Sequence, residues 1–173
     1  DTMKLCVGCK GCQRECPTGV DMAKMKSEFL YHYTKRHGLK LRDRLVAFLP
    51  RYAALASRFS AVMNLRDAVP GMAALSEKLL GFSARRTLPI WRRDIFHSET
   101  PAVGPVDGPE VVLLVDTFNR YFEPENARAA VNVLVAAGYR VHLPAAASGE
   151  RPLCCGRTFL AAGLVDEARE EAN

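Results

Sequence analysis

Four of the six cysteines in this 173-residue chain lie within eleven residues, between positions 6 and 16. Their spacing is C-x2-C-x2-C-x3-C, and Pro17 directly follows the last cysteine. Thiols spaced this closely can surround one centre only if the backbone between them forms a loop. Gly8 and Gly11 permit the tight turns that such a loop needs. The start of the chain is therefore expected to fold around a metal centre.

The spacing also indicates which centre this is. It matches the run that binds a 4Fe–4S cluster in bacterial ferredoxins. A zinc site usually has two ligand pairs a dozen or more residues apart, and a disulfide framework distributes its cysteines along the chain. A structural zinc module stays open as an alternative. The predicted ligands of the 4Fe–4S cluster are Cys6, Cys9, Cys12 and Cys16.

This run does not complete a cluster by itself. In two-cluster ferredoxins the fourth cysteine of such a run binds the other cluster. The first three cysteines would then hold one cluster, and Cys16 would bind a second. The remaining ligands would come from a matching run, which residues 1–5 do not contain. We therefore expect the chain to be a fragment with the second half of a two-cluster module, the first half preceding residue 1.

Three segments are predicted along the chain. Residues 1–38 combine the cysteine loop with a helix that Asp21 caps and Gly38 ends. One face of this helix is apolar and is expected to pack on the loop. That face consists of Met22, Met25, Phe29 and Tyr33. Residues 39–100 contain helical stretches interrupted by proline and glycine, and they are interpreted as a helical connector.

Residues 101–173 are predicted to begin an α/β domain that the end of the chain truncates. The apolar run EVVLLVDTF has strand length, Pro124 suits the first turn of a helix, and YRVHLP forms a second strand. Together these make a βαβ unit with parallel strands. The preceding stretch, 97–110, contains three prolines and two glycines and is interpreted as a linker.

Charge is distributed unevenly between the two parts of the chain. Residues 1–100 carry 18 Lys or Arg and 9 Asp or Glu, whereas residues 101–173 carry 6 and 10. The basic residues are spread over helical sequence and not interleaved with aromatics, so nucleic-acid binding is not expected. The basic helices of the connector are expected to pack on a neighbouring domain, with a membrane surface as the alternative. The longest apolar runs are too short to span a bilayer.

The remaining two cysteines, Cys154 and Cys155, are adjacent in RPLCCG. Alone they are either buried free thiols at a strand end or metal ligands. Together with LCVGCKGCQRECPTGVDMAKMKSEFLYHY and VDTFNRYFEPENARAAVNVLVAAGYRV, this motif resembles the C-terminal iron–sulfur region of FAD-linked oxidases of the D-lactate and D-2-hydroxyglutarate dehydrogenase type. It is also similar to the iron–sulfur subunits of anaerobic glycerol-3-phosphate dehydrogenase and heterodisulfide reductase.

The resemblance implies an α-helical ferredoxin half-module, a connector and the start of a CCG cysteine-rich domain. It implies that FAD in an upstream domain oxidises a hydroxy acid, and that the clusters pass electrons to a quinone or another carrier. Catalytic residues would then lie outside this chain. The implied location is the cytoplasm, with peripheral contact at the inner face of the membrane. A separate electron-relay subunit without catalytic activity is the alternative.

The chain departs from the resembled pattern at one position. A cluster-binding CCG domain has a further cysteine shortly before a Tyr-x-x-Pro motif, which here reads YFEP. The residue nearest to that place is Thr117, and no cysteine follows Cys155. The resemblance therefore implies that Cys154 and Cys155 lack the ligands for a complete site within these residues.

Overall fold

The computed structural model describes residues 2–98, 102–144 and 151–172. The structure is mixed α/β, with mostly helical elements and a small three-stranded sheet, as the sequence predicted at the level of fold class. The chain divides into two compact units, one of Asp1–Phe48 with Cys155–Asn173 and one of Leu49–Cys154. These boundaries differ from the predicted segments 1–38, 39–100 and 101–173, which remain a prediction about domains.

A short 3-10 turn at Thr2–Leu5 precedes the first helix. The helices of the described residues are α1 (Gly11–Glu15), α2 (Met22–His37), α3 (Leu41–Ala47), α4 (Leu49–Arg58), α5 (Ser60–Met63), α6 (Leu65–Ala68), α7 (Met72–Leu80), α8 (Thr117–Tyr121), α9 (Pro124–Ala136), α10 (Arg157–Ala161) and α11 (Val165–Ala172). The strands are β1 (Ala102–Val103), β2 (Glu110–Val112) and β3 (Arg140–His142).

In the first unit, α10 packs against both α3 and α11. Phe159 on α10 is fully buried, and its ring meets the ring of Phe48 edge to face at 5.2 Å. The hydroxyl of Thr158 donates to the carbonyl of Ala47 at 2.9 Å, which satisfies a backbone acceptor at the end of α3. The segment after Cys154 and Cys155 thus packs on an N-terminal helix, α3.

Helix α2 begins and ends where the sequence predicted. The carboxylate of Asp21 accepts from the backbone N–H of Lys24 at 3.0 Å, and Gly38 terminates the helix. The prediction that its apolar face packs on the cysteine loop is wrong, because Met25, Phe29 and Tyr33 are each about half exposed. The contacts of α2 with the loop come instead from the backbone N–H of Met22, which donates to Sγ of Cys12, and from the ammonium of Lys26, which donates to the carbonyl of Cys6.

In the second unit, α4 packs on α8. This contact forms a core cluster of Leu49, Ala53, Ala56, Trp91, Tyr121 and Phe122. Pro50 lies in the first turn of α4, where a missing N–H costs nothing, so the interruption of the helices falls just before this proline. Between residues 41 and 80 the connector consists of helices α3 to α7, as predicted. Its helix α4 packs on α8.

An extended segment follows α7 and is held by side chains from the helices before it. Asn64 binds both the N–H and the carbonyl of Trp91, at 2.9 and 3.0 Å. Arg66 is buried and donates to the carbonyl of Ser83 at 2.7 Å. Residues 85–96 contain no helix or strand in the structure.

The sheet of the second unit has the order β1-β3-β2. Strands β2 and β3 are parallel and are joined through α8 and α9, which confirms the predicted βαβ connection. Pro124 occupies the first turn of α9 as predicted. Strand β1 was not predicted: Ala102 and Val103, in the presumed linker, pair antiparallel with β3. Val141 on β3 is completely buried in the second core cluster.

Candidate metal centre

The cysteine loop turns tightly at two residues. Gly8 has φ 71° and Lys10 has φ 60°, so both adopt the left-handed conformation. The sequence predicted turns at Gly8 and Gly11, and the second turn falls one residue earlier, at a lysine. Lys10 forms the N-cap of α1, and its carbonyl accepts from the N–H of Gln13 at 3.1 Å. This short helix carries Cys12, and Cys16 is its C-cap.

Two of the four sulfur atoms have hydrogen-bond donors beside them. The backbone N–H of Met22 donates to Sγ of Cys12 at 3.4 Å. Met22 is the first residue of α2, so this amide has no partner within the helix and is available to the sulfur. Sγ of Cys16 and the hydroxyl of Thr18 are 3.1 Å apart. Donors of this kind stabilise negative charge on a thiolate and tune a bound metal centre.

The thiol of Cys16 has a pKa lowered to about 7 from an ordinary value of 9.0. The hydrogen bond with the hydroxyl of Thr18 is the largest cause of this lowering. The backbone N–H groups of Val20 and Thr18 add to this effect. Since the thiolate is the form that binds metals, the loop presents Cys16 in a state suited to ligation near neutral pH.

Two cationic side chains hold the loop through its backbone. The ammonium of Lys26 donates to the carbonyl of Cys6 at 2.6 Å, and the guanidinium of Arg157 donates to the carbonyl of Gly8 at 3.3 Å. A Cβ atom on Gly8 would approach Arg157 Nη2 to 3.1 Å, so a glycine keeps this contact open. Neither residue was predicted to take part in the site. Arg157 lies 149 residues from Gly8, and nothing local in the sequence signals the contact.

The four cysteines of the loop are not gathered into a finished ligand set. Cys9 is exposed and the other three are half-buried. In the part of the chain that the structure describes, no three or more Cys, His, Asp or Glu side chains are close enough together to hold a metal ion. The fit to an iron–sulfur cluster therefore lies in the donor chemistry, with four thiols on one loop and donors at two of them.

Cys154 and Cys155 have different environments. Cys154 is buried, and the hydroxyl of Thr117 donates to its sulfur at 3.8 Å. Cys155 is exposed. Gly156 follows with φ 68°, and a Cβ atom there would meet the carbonyl oxygen of Ala168 on α11 at 2.8 Å. The glycine of the CCG sequence is thus required by a close backbone approach.

Comparison with known proteins found relatives named D-2-hydroxyglutarate dehydrogenase. The chain is 30% identical to D-2-hydroxyglutarate dehydrogenase of Pseudomonas putida over an alignment of 168 residues that covers 88% of this chain. The enzyme of the same name from Escherichia coli K12 is 37% identical over 81 residues, 47% of this chain. That of Pantoea ananatis is 25% identical over 162 residues, 87% of this chain.

The chain is related to D-2-hydroxyglutarate dehydrogenases. It spans only a small part of these relatives, 8% of the Escherichia coli protein and 16% of each of the other two. No protein-family model matches the sequence, and no solved structure matches it. None of the described helices is both long enough and apolar enough to cross a membrane.

Proposed function

We propose that this chain is the iron–sulfur electron-transfer portion of an FAD-dependent 2-hydroxy-acid dehydrogenase. The observation that carries the proposal is the cysteine loop, with four thiols spaced C-x2-C-x2-C-x3-C and a proline after the last. The relatives of the chain are named D-2-hydroxyglutarate dehydrogenase, which supports a role in an oxidoreductase. D-2-hydroxyglutarate is therefore the first substrate to test.

In this proposal the loop residues Cys6, Cys9, Cys12 and Cys16 supply thiolates to 4Fe–4S clusters. A bound cluster would supply one-electron transfer, which links the two-electron chemistry of a flavin to a carrier. Cys16 would bind a different cluster from the other three, and the remaining ligands would come from residues outside this chain. Among the described residues, the neighbour of the Cys154 sulfur is the hydroxyl of Thr117, so the proposal places no cluster at Cys154 and Cys155.

The chain's own residues would position the thiolates and set their charge. The amide of Met22 and the hydroxyl of Thr18 lie beside the sulfurs of Cys12 and Cys16 and would stabilise their negative charge. Lys26 and Arg157 bind carbonyls of the loop and would fix its path. Their positive charges near the loop would favour a reduced, more negative centre.

Substrate oxidation and FAD binding would belong to a flavin domain, in the same polypeptide or a partner subunit. The electron acceptor would be a quinone or another carrier. We place the protein in the cytoplasm with peripheral contact at the inner face of the membrane, because residues 1–100 carry twice as many basic as acidic side chains. No part of the proposal involves nucleic acid.

Metal analysis of the full-length protein, purified without oxygen, tests this proposal. We expect iron and acid-labile sulfide in about equal amounts, and an electron paramagnetic resonance signal after reduction with dithionite. Cys9→Ser should lower both contents, because it removes a ligand from the loop. Cys155→Ser is the matched control, an exposed cysteine outside the loop, and should leave them unchanged. Zinc without iron or sulfide would overturn the proposal in favour of a structural zinc module.

A further inference from the structure

A cleft of about 200 Å³ opens beside the cysteine loop in the first unit. Three segments form its walls: the loop itself, the first turns of α2, and α10. Four of the lining residues are cationic and one is acidic. The cationic residues are Lys10, Lys24, Lys26 and Arg157, and the acidic residue is Asp21. This concentration of positive charge contrasts with the rest of the lining, which is small or apolar.

Among the residues that the structure describes, the interactions within the cleft leave most of its positive charge uncompensated. Asp21 pairs with Lys10 at 3.7 Å, so these two charges offset each other. Lys26 and Arg157 donate to backbone carbonyls, which carry no net charge. Lys24 is exposed on the first turns of α2. The cleft therefore holds a surplus of three positive charges in a small volume.

Donor capacity also remains in the cleft. An ammonium has three N–H groups and a guanidinium has five. Lys26 and Arg157 each donate a hydrogen bond to a carbonyl of the loop, so further N–H groups can bind a ligand. The planar fork of a guanidinium matches the oxygens of a carboxylate or phosphate group, and a lysine adds a point charge. None of the described residues that line the cleft is aromatic, so they offer no ring on which a base or sugar could stack.

We propose that this cleft binds a small oxyanion, a carboxylate or phosphate group, between Lys24, Lys26 and Arg157. The bound group would join the cysteine loop to α2 and α10. The limited volume favours a compact ion or a short diacid over a polymer. This inference goes beyond the proposed electron transfer and needs none of the cysteines, so each proposal can fail without the other.

Calorimetric titration of the full-length protein with inorganic phosphate, and separately with succinate, tests the proposal. Ionic strength is held constant with sodium chloride, so that general screening stays the same in every experiment. We expect saturable binding of at least one of the two anions, and the comparison shows whether phosphate or carboxylate is preferred. Lys24→Gln and Arg157→Gln should each weaken binding by about tenfold, because each removes a charge-assisted hydrogen bond.

Lys78→Gln on α7 is the control, since it removes one positive charge outside the cleft. It should bind the anion as the unchanged protein does. Arg157→Gln also removes the contact with Gly8, so circular dichroism of each variant must match that of the unchanged protein. Lys24 is exposed and has no such contact with the loop, so Lys24→Gln decides the matter if Arg157→Gln unfolds. Absence of saturable binding, or equal affinity in Lys24→Gln, would overturn the proposal.

Discussion

The hydroxyl of Thr117 donates a hydrogen bond to the buried sulfur of Cys154 at 3.8 Å. Thr117 is the first residue of α8, and Asp116 before it caps that helix through the N–H groups of Phe118 and Asn119. The capped helix therefore fixes the backbone of Thr117, and the thiol of Cys154 lies against it. This contact joins the start of α8 to Cys154 within the second unit, near the position where the resembled pattern has a cysteine.

Thr117→Val tests the strength of this contact, because valine keeps the shape of threonine and removes the hydroxyl. We expect the free energy of unfolding, measured by urea denaturation, to fall by about 0.5–1 kcal/mol, the low end for a hydrogen bond since sulfur is a weak acceptor. The same change in a Cys154→Ala background serves as the control and should cost less. An equal cost in both backgrounds would mean that the hydroxyl does not act through the thiol.

The turn between α10 and α11 gives a sharper prediction. Gly163 has φ 80°, and a Cβ atom there would lie 2.5 Å from the backbone carbon of Leu30 on α2. Gly163→Ala must therefore displace a helix backbone as well as strain its own. We expect a loss of roughly 2–5 kcal/mol in the free energy of unfolding, the sum of overpacking and left-handed strain.

Gly19→Ala is the matched control for that variant. Gly19 lies in the same unit and has φ 67°, but its Cβ atom would meet nothing within 4 Å. Its cost should be only the strain of a left-handed residue, about 1–2 kcal/mol. If the two variants lose the same stability, Gly163 does not pack on α2 as closely as the structure places it.

Capping and turn signals predicted the fold well where the determinants are local. Asp21 and Gly38 act on the helix that they flank, so the sequence alone located both ends of α2. Pro124 likewise marked the first turn of α9. The apolar face of α2 was predicted to pack on the loop and is about half exposed, because periodicity identifies apolar residues and carries no information about what they contact. The short β1 strand escaped prediction because its pairing partner, β3, lies about forty residues away.

In the candidate site, too, the features with local determinants were predicted and those that depend on distant residues were missed. Cysteine spacing is a local pattern, so the four proposed ligands could be named from the sequence alone, and their binding of a cluster stays a prediction. The contact of Arg157 with Gly8 depends on how α10 packs, which no pattern near either residue reveals. Thr117 was singled out by its position before the YFEP motif, and the structure places it against Cys154. The sequence therefore pointed to the proposed ligands and missed Lys26 and Arg157, the side chains that contact the backbone of the loop.

The ion pairs of Asp94 predict a dependence of stability on pH. The guanidinium of Arg92 binds both carboxylate oxygens of Asp94, at 2.8 and 2.9 Å, and lowers the pKa of Asp94 to about 2 from 3.8. A carboxylate with a lowered pKa in the folded state adds stability above its unfolded pKa, and this stability is lost as pH falls through the folded value. The contribution should thus be present at pH 7 and disappear between about pH 4 and pH 2.

Asp94→Asn should accordingly lower the urea midpoint at pH 7 and have less effect as the pH approaches 2. The effect at pH 7 will be small, because the side chain of Asp94 is half exposed and solvent screens its ion pairs. Asp107→Asn, a change at another exposed carboxylate of the same unit, provides the comparison. A constant difference between Asp94→Asn and the unchanged protein from pH 7 to pH 2 would contradict the assignment.

The thiol of Cys16 supports a prediction about the metal-free protein. Because the hydroxyl of Thr18 is the largest cause of its lowered pKa, the alkylation rate of Cys16 by iodoacetamide should rise with pH around a midpoint of about 7. Mass spectrometry of the digested protein follows Cys16 separately from the other cysteines. In Thr18→Val the midpoint should move up toward 9.0 without reaching it, since the backbone N–H groups of Val20 and Gly19 still favour the thiolate. Thr34→Val on α2 is the control, because it removes a hydroxyl far from Cys16 in sequence and should leave the midpoint at its original value. A midpoint unchanged by Thr18→Val would mean that the backbone alone sets the pKa of Cys16.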